Sequence, residues 1–311
     1  MPSRAKVVCA FAAVYVIWGS TYLAIRYAIE TIPPFLMMGV RSIIAGSILY
    51  AWSHSQGERV RRDEIRPLII IGILFFLLGH GLLSWAQKTV ASGLAAVLIA
   101  SDPLWIALIE SFTIKSFRLS KTQIVGLIGG LAGVGLLFLP SSSAGPEMNP
   151  VGAFVIIVSA ISWSIGAVYS RIAKLPKSSI LASGAELILG GVLLCVAAVV
   201  LGELDDFHPA AISVRSLLAM AYLVVFGSVI TFTAYVWLLT VTSATRVATH
   251  TYVNPVIAVL LGWYLAGEHL TARMLVASAV IIASIYLMLQ SEESNAQQSG
   301  AGPRFTIKAT K

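Results

Sequence analysis

Apolar residues run through this chain in blocks. The alternation of a half-buried strand is absent, and the three- and four-residue spacing of an amphipathic surface helix is not sustained. A bilayer core about 30 Å thick needs about 20 residues of helix. Ten apolar runs come near that length, at 7–27, 35–52, 67–86, 91–112, 122–139, 151–172, 179–201, 214–238, 244–265 and 272–289. Lipid offers no partner to an exposed backbone, so each run is predicted as a helix. The fold class is therefore an all-α polytopic membrane protein with ten transmembrane helices. The opening "MPSRAKVVCAFAAVYVIWGSTYLAI" has a longer apolar stretch than a cleaved signal and is expected as a retained first helix.

The stretch "LPSSSAGPEMNP" (139–150) is rich in Ser, Gly and Pro and carries no cation. It divides the chain into a five-helix repeat at 1–140, an external linker at 141–150 and a second five-helix repeat at 151–289. The residues after Gln290 lack an apolar period, and 290–311 are expected to form a disordered cytoplasmic tail. The repeats match internally. Trp18 and Trp163, Arg26 and Arg171, Gly39 and Gly184, and Gly46 and Gly191 are each 145 apart, and the same shift sets Arg41 opposite Glu186. Gly79 and Gly227 are 148 apart, and Pro103 and Pro255 are 152 apart.

Charge sets the orientation. Cations gather before span 1 (Arg4, Lys6), between spans 2 and 3 (Arg59, Arg61, Arg62, Arg66), between 4 and 5 (Lys115, Arg118, Lys121) and between 6 and 7 (Arg171, Lys174, Lys177). The opposite loops are poor in them. Positive loops stay cytoplasmic, which puts both termini inside. An odd number of spans per repeat then inserts the second repeat upside down, giving inverted-topology repeats. Composition agrees: of 311 residues, 58% are hydrophobic and 11% charged. The net charge of +7 sits in short loops and makes no basic groove, so no nucleic acid is implied. Cys9 and Cys195 lie in apolar runs, form no metal set and imply no cofactor.

Two helices carry a polar residue and a proline near mid-span: "SDPLW" (101–105) and "YVNPV" (252–256). Proline removes a backbone donor and clashes with the preceding turn, so Pro103 and Pro255 are expected to break spans 4 and 9. Non-helical backbone at membrane depth belongs against protein or a water-filled cavity. Two matched breaks near the midplane point to a binding site between the repeats; a plain proline kink that helps helices pack is the other reading. Asp102 favours the first, because an acid in the membrane interior usually faces a cavity or a partner. A carboxyl that takes and gives a proton as a cavity opens to each side would couple transport to a proton gradient; a static ion-pair role is its alternative. Trp18, Ser20, Thr21 and Tyr22 of "WGSTY", with Trp163 and Tyr169 of "SWSIGAVYS", offer aromatic faces beside hydroxyls for a small organic solute. His80, His250, Tyr252 and Asn254 join them as substrate-binding candidates. Arg41 and Glu186 are read as shallow structural charges that reach headgroups or pair locally. "GLIGGLAGVG" (126–135) contains two GxxxG spacings, which permit close helix contact within the chain or in a homodimer.

With "VIWGSTYLAIRYA", "PPFLMMGVRSIIAGSILY", "IGGLAGVGLLF", "ISWSIGAVYSRIA" and "YVNPVIAVLLGWYLAGEHLT" in hand, residues 8–289 resemble the EamA-type, ten-span branch of the drug/metabolite transporter superfamily. The resemblance implies five-plus-five inverted repeats, a central cavity and location in the bacterial inner membrane. It implies export of amino acids, related metabolites or amphiphilic drugs, with protons as the coupling ion. Gly267–Glu268 follows span 9, but its counterpart after span 4 reads "IKSFRLS", and Asp102 stands where many relatives have an uncharged residue. A facilitative channel or uniporter is the alternative. An intramembrane enzyme is disfavoured, since GxSG, GxGD and HExxH are all missing, and no GxxxxGK[ST] loop implies a nucleotide-driven pump.

Overall fold

The structure is a computed structural model, and it describes residues 3–113, 120–137, 149–170, 172–205, 207–241, 247 and 250–298, apart from the side chains at 236, 239, 240, 252 and 288–298. Among these residues every regular element is helical. In chain order they are α1 Arg4–Ala28, α2 Pro34–Ser55, α3 Arg62–Ala86, α4 Ser92–Ile99, α5 Asp102–Thr113, α6 Lys121–Leu137, α7 Pro150–Ser170, α8 Ser179–Val200, α9 214–241, α10 His250–Ala266 and α11 Ala272–Gln298. A single 3₁₀ turn, Pro209–Ala211, precedes α9. Seven helices are long and apolar enough to cross a membrane, counting α4 and α5 together as one, and α6, α10 and α11 contain shorter apolar stretches. The last helix continues to Gln298, so residues 290–298, expected as tail, are helical. Residues 299–311 and most of the 141–150 linker lie outside the described residues.

Local signals set the ends. Pro34 takes the first turn of α2, where its missing N–H is no loss. Ser178 accepts from Leu181 at α8, and Thr271 accepts from Met274 at α11. At α6 the capping box is reciprocal: Gln123 N–H donates to Ser120 Oγ at 3.2 Å and Ser120 N–H to Gln123 Oε1 at 2.9 Å. Three stretches wind as π-helix, Ala13–Ile17 in α1, Gly72–Gly81 in α3 and Leu223–Ile230 in α9.

Packing follows the internal match. Gly39 abuts Gly191 and Cys195, while Gly46 abuts Gly184 and Ile188, so α2 and α8 run antiparallel with their glycines in register. The 145-residue shift turns Gly39 into Gly184 and Gly46 into Gly191, and it therefore exchanges the two contacts. Equivalent helices that meet antiparallel are related by a two-fold axis perpendicular to them. A second pair behaves alike: in α6, Gly129 and Gly133 meet Ser284 and Ile281 of α11. The GxxxG spacing of Gly129 and Gly133 is thus used within the chain. Elsewhere the sets interleave. The first helix of each repeat packs on the third and fourth of the other: α1 on α9 and α10, and α7 on α3, α4 and α5. Outward faces such as Val192, Val196, Val199 and Val200 on α8 stay exposed and apolar, as a bilayer requires.

Candidate functional site

The break in the fourth apolar run falls at Ala100 and Ser101, and its chemistry is local. Ser101 N–H donates to Leu98 O at 3.1 Å, closing α4 with a tightened turn. Its own carbonyl accepts from Leu104 at 2.9 Å and starts α5. Asp102 and Pro103 thus open a new helix, a position proline favours. The expected partner break is not there. Pro255 sits inside the continuous helix α10. Its neighbour Asn254 faces two carbonyls, Tyr15 O at 3.0 Å and His250 O at 3.2 Å, and the amide orientation assigned from that pairing sets its nitrogen toward both, which ties the turn before the proline to α1. Neighbouring helices and side chains of this kind let a membrane helix carry proline unbroken.

These two points nevertheless occupy equivalent places. Ser164 of α7 donates to the backbone oxygen of Asp102 at 3.2 Å. Its counterpart by the 145-residue shift is Gly19 of α1, where a Cβ would lie 3.3 Å from the backbone oxygen of Asn254. Between them lies a cavity of ≈ 130 Å³. An apolar cavity of about 150 Å³ admits a benzene-sized guest, so the space suits one small organic group.

The walls come from both repeats. From α1 it takes Trp18, Thr21, Tyr22 and Ile25, and from α3 Phe76, Gly79, His80 and Leu83. The α1 set has the i, i+3, i+4, i+7 spacing that places four residues on one face of an α-helix, whereas the α3 set runs through the π-turn Gly72–Gly81. The rings are fixed by contact. Trp18 Nε1 donates to Gly227 O at 3.2 Å, and its ring lies 4.9 Å from Tyr235 and 5.2 Å from His250. Trp163 stacks on Phe75 at 4.3 Å and sits 5.1 Å from His80. Tyr22 and Asp102 share the same wall. Asp102 Oδ1 is buried and has no hydrogen-bond partner among the described residues.

Of the predicted substrate-binding residues, the cavity thus gathers Trp18, Thr21, Tyr22, His80, Trp163, His250 and Asn254, with Asp102 among them. Two fall elsewhere. Ser20 turns to α9, bonding Tyr222 Oη at 2.7 Å, because it is off the face shared by Trp18, Thr21 and Tyr22. Tyr169 lies at the last turn of α7, outside the lining. The Tyr252 side chain lies outside the described residues.

One wall residue overturns an expectation. Arg41 is no shallow structural charge: it is 7% exposed and lines the cavity. Its Nε donates to Ser228 Oγ at 3.0 Å and its Nη1 reaches Met38 Sδ at 3.4 Å. Glu186, its repeat counterpart, is also buried but does not line the cavity. No local pattern marks Arg41 as a wall residue, because the residues that complete the wall, Ser228 and Gly227 among them, are distant in sequence.

Two glutamates outside the cavity, the buried Glu268 and the half-buried Glu203, were also missed. Glu268 accepts from Ser92 N–H at 2.7 Å and Gly93 N–H at 3.0 Å, capping α4, and lies 3.6 Å from Arg26 Nε. Glu203 does the same for α2, accepting from Phe35 and Leu36. Both place negative charge at a helix N-terminus, where the dipole favours it. Among the described residues no group of His, Cys, Asp and Glu could hold a metal ion.

Comparison with known proteins puts this geometry in company. A family model described as "EamA-like transporter family" matches residues 5–139 and 150–290, one stretch per repeat. The chain is 37% identical to "Uncharacterized inner membrane transporter YedA" of Escherichia coli (strain K12) over 281 residues, 89% of this chain and 88% of that one. It is 25% identical to "Uncharacterized transporter YoaV" of Bacillus subtilis (strain 168), covering 91% and 96%. A solved structure titled "Crystal structure of protein" shares the fold with a TM-score of 0.63 at 23% identity, covering 94% of this chain and all of that one.

Proposed function

The chain belongs to the EamA-like transporter family, and from that premise we propose that it is a secondary active exporter of amino acids, related metabolites or amphiphilic drugs, working by alternating access. That it is a membrane transporter follows from the family and from relatives named as transporters. The proposed organisation is ten spans in two inverted repeats, both termini on the cytoplasmic side of the bacterial inner membrane. The antiparallel contact of the equivalent helices α2 and α8 supports the inversion, and the cation-rich loops support the orientation.

The single observation that carries the mechanism is the cavity between the repeats with the unpartnered Asp102 oxygen in its wall. A buried carboxyl oxygen without a donor is costly unless it is protonated or filled by a ligand. Asp102 is proposed to release its proton when the cavity faces one side and rebind one when it faces the other. Solute occupies the space between the Trp18 and Trp163 rings. Exchange of solute for proton follows if the two loaded states, and not the empty intermediate, permit reorientation.

The test uses the purified chain in proteoliposomes, with labelled amino acids and a cationic dye, with and without an imposed pH gradient. Saturable flux that the gradient accelerates is expected. Asp102→Asn should abolish the gradient effect and keep exchange of solute for solute. Gradient-driven flux in that variant at the parental rate would rule out Asp102 as the coupling acid, and flux that neither saturates nor counterflows would replace the carrier by a pore.

A further inference from the structure

The cavity wall carries two groups with full charge in their ordinary ionised forms, Arg41 and Asp102. Resting on the transporter reading above, we infer that Arg41 is the anion anchor of the site and that the transported solute carries a single carboxylate. The inference comes from what Arg41 lacks. A guanidinium presents five N–H donors in a planar fork and no acceptor. Here Nε meets a hydroxyl, Ser228 Oγ at 3.0 Å, and Nη1 meets a thioether, Met38 Sδ at 3.4 Å, which is a weak acceptor. Among the described residues no carboxylate lies within ion-pair distance of Arg41, whereas Arg26, Arg61, Lys174 and Arg215 each have one. A buried cation without a counter-charge is expensive. One held against an open space, with the rest of its fork free, is arranged for a counter-charge that arrives.

The positioning is specific. Nε is pinned through Ser228, one residue from Gly227, whose carbonyl holds Trp18. A Cβ on Gly227 would lie 3.1 Å from Thr21 and 3.5 Å from Arg41 Nη2, so α9 approaches α1 and the guanidinium closely here. The same turn of α9 therefore fixes both the charged and the aromatic wall. The charge count selects the ligand. One guanidinium neutralises one negative charge, and a planar fork matches a carboxylate in two parallel hydrogen bonds. A dianionic phosphate would bring a second negative charge for which the wall offers no second cation. The ≈ 130 Å³ space leaves room for a compact side chain against Phe76 and Phe232, and Asp102 stays available for the proton.

The experiment measures binding to the purified full-length chain in detergent, by tryptophan fluorescence and by calorimetry. The probes are phenylalanine, leucine and threonine, each beside its C-terminal amide and its decarboxylated amine. The expected result is that at least one carboxylate binds roughly ten- to hundredfold tighter than its own amide and amine, the range for losing hydrogen bonds to a charged group. Arg41→Gln should erase that ratio while the amide's affinity stays unchanged, and Arg41→Lys should restore part of it. If Arg41→Gln fails to fold, the parental carboxylate-to-amide ratio still decides. Amides or amines binding as tightly as the acids would overturn the inference and leave the transporter intact. Binding of no probe of any class would overturn the inference together with the cavity reading on which it rests.

Discussion

Replacing Gly46 with alanine tests the helix pair on which the whole arrangement turns. A Cβ at Gly46 would stand 2.8 Å from Gly184 O, 2.8 Å from Ile188 N and 2.8 Å from Leu187 Cβ. Two of these three atoms are backbone, so no rotamer change can relieve the clash. Ordinary contact begins at 3.4 Å, and α2 and α8 would have to part by about 0.6 Å. A gap of about 0.5–1 Å forfeits a quarter to a half of each dispersion contact along the seam, and overpacking costs about 1–3 kcal/mol. Alanine returns up to about 1 kcal/mol through helix propensity, so a net loss of about 1–2 kcal/mol is expected. Gly191→Ala, whose Cβ would lie 2.9 Å from Gly39 O and 2.9 Å from Ile43 N, should lose a similar amount, because the repeat match exchanges the two sites.

Gly135→Ala is the control. Nothing lies within 4 Å of a Cβ there, so that variant should be neutral or stabilised by up to about 1 kcal/mol. Thermal unfolding of the three purified variants, followed by tryptophan fluorescence at fixed detergent concentration, gives the comparison. A Gly46→Ala midpoint equal to that of Gly135→Ala would refute the close seam, and with it the two-fold frame.

Other expectations are simpler to state. Trp18→Ala should weaken solute binding roughly tenfold or more, as an aromatic wall and its Gly227 hydrogen bond are lost, whereas Trp52→Ala should not, since Trp52 is 63% exposed on α2; equal effects in a titration would move the site. Glu268→Gln replaces a charged cap that accepts from Ser92 and Gly93, and should lower stability by about 1.5–3 kcal/mol, read as a shift in unfolding midpoint. Glu203→Gln at α2 should behave the same way. Thr231→Val removes the fully buried hydroxyl that donates to Phe226 O at 2.7 Å beside the π-turn of α9; stability should fall by about 0.5–1.5 kcal/mol, and an unchanged unfolding midpoint would deny that bond a part in holding the turn.

How much of this could be read from residues alone depends on the kind of signal. Length and hydropathy place helices well, because the bilayer demands about 20 apolar residues per span whatever their order. The expected runs and the observed helices mostly differ only by a few residues at their ends. The Ser120–Gln123 box and the Thr271 cap are local pairings, the kind of contact that residue spacing displays. Contacts across the chain were harder. Glu268 and Glu203 cap helices far away in sequence, and no local pattern announces such a pairing. Pro255 was misread because the rule for proline is local while its accommodation comes from Asn254 and the neighbouring helix. Ser20 differs in another way: its composition suits a site, while its helical phase turns it to Tyr222.

Arg41 shows where the two repeats part company, and why. The frame is two-fold: Gly39 with Gly191 mirrors Gly46 with Gly184, and Trp18 on Gly227 mirrors Trp163 beside Gly79. A frame whose halves are equivalent has two reorientations of similar energy, which a carrier needs. The charges do not follow it. Arg41 corresponds to Glu186, Asp102 to Asn254, and His80, by the 148-residue shift, to Ser228, the residue that holds Arg41. An equivalent pair of arginines would repel across the axis, and an equivalent pair of acids would share one proton and titrate together. Breaking the symmetry at these positions leaves one cation and one acid in a single cavity. That is the smallest set that can hold an anionic group and a proton at separate places, and swapping it should be informative. Asp102→Asn with Asn254→Asp moves the acid to its repeat counterpart. If the frame is two-fold and only the charge placement is not, the double variant should regain gradient-driven flux that Asp102→Asn alone has lost. Failure to regain it, in protein whose unfolding midpoint is unchanged, would mean that the acid must stand at the break before Pro103 and that the two halves are not interchangeable in mechanism.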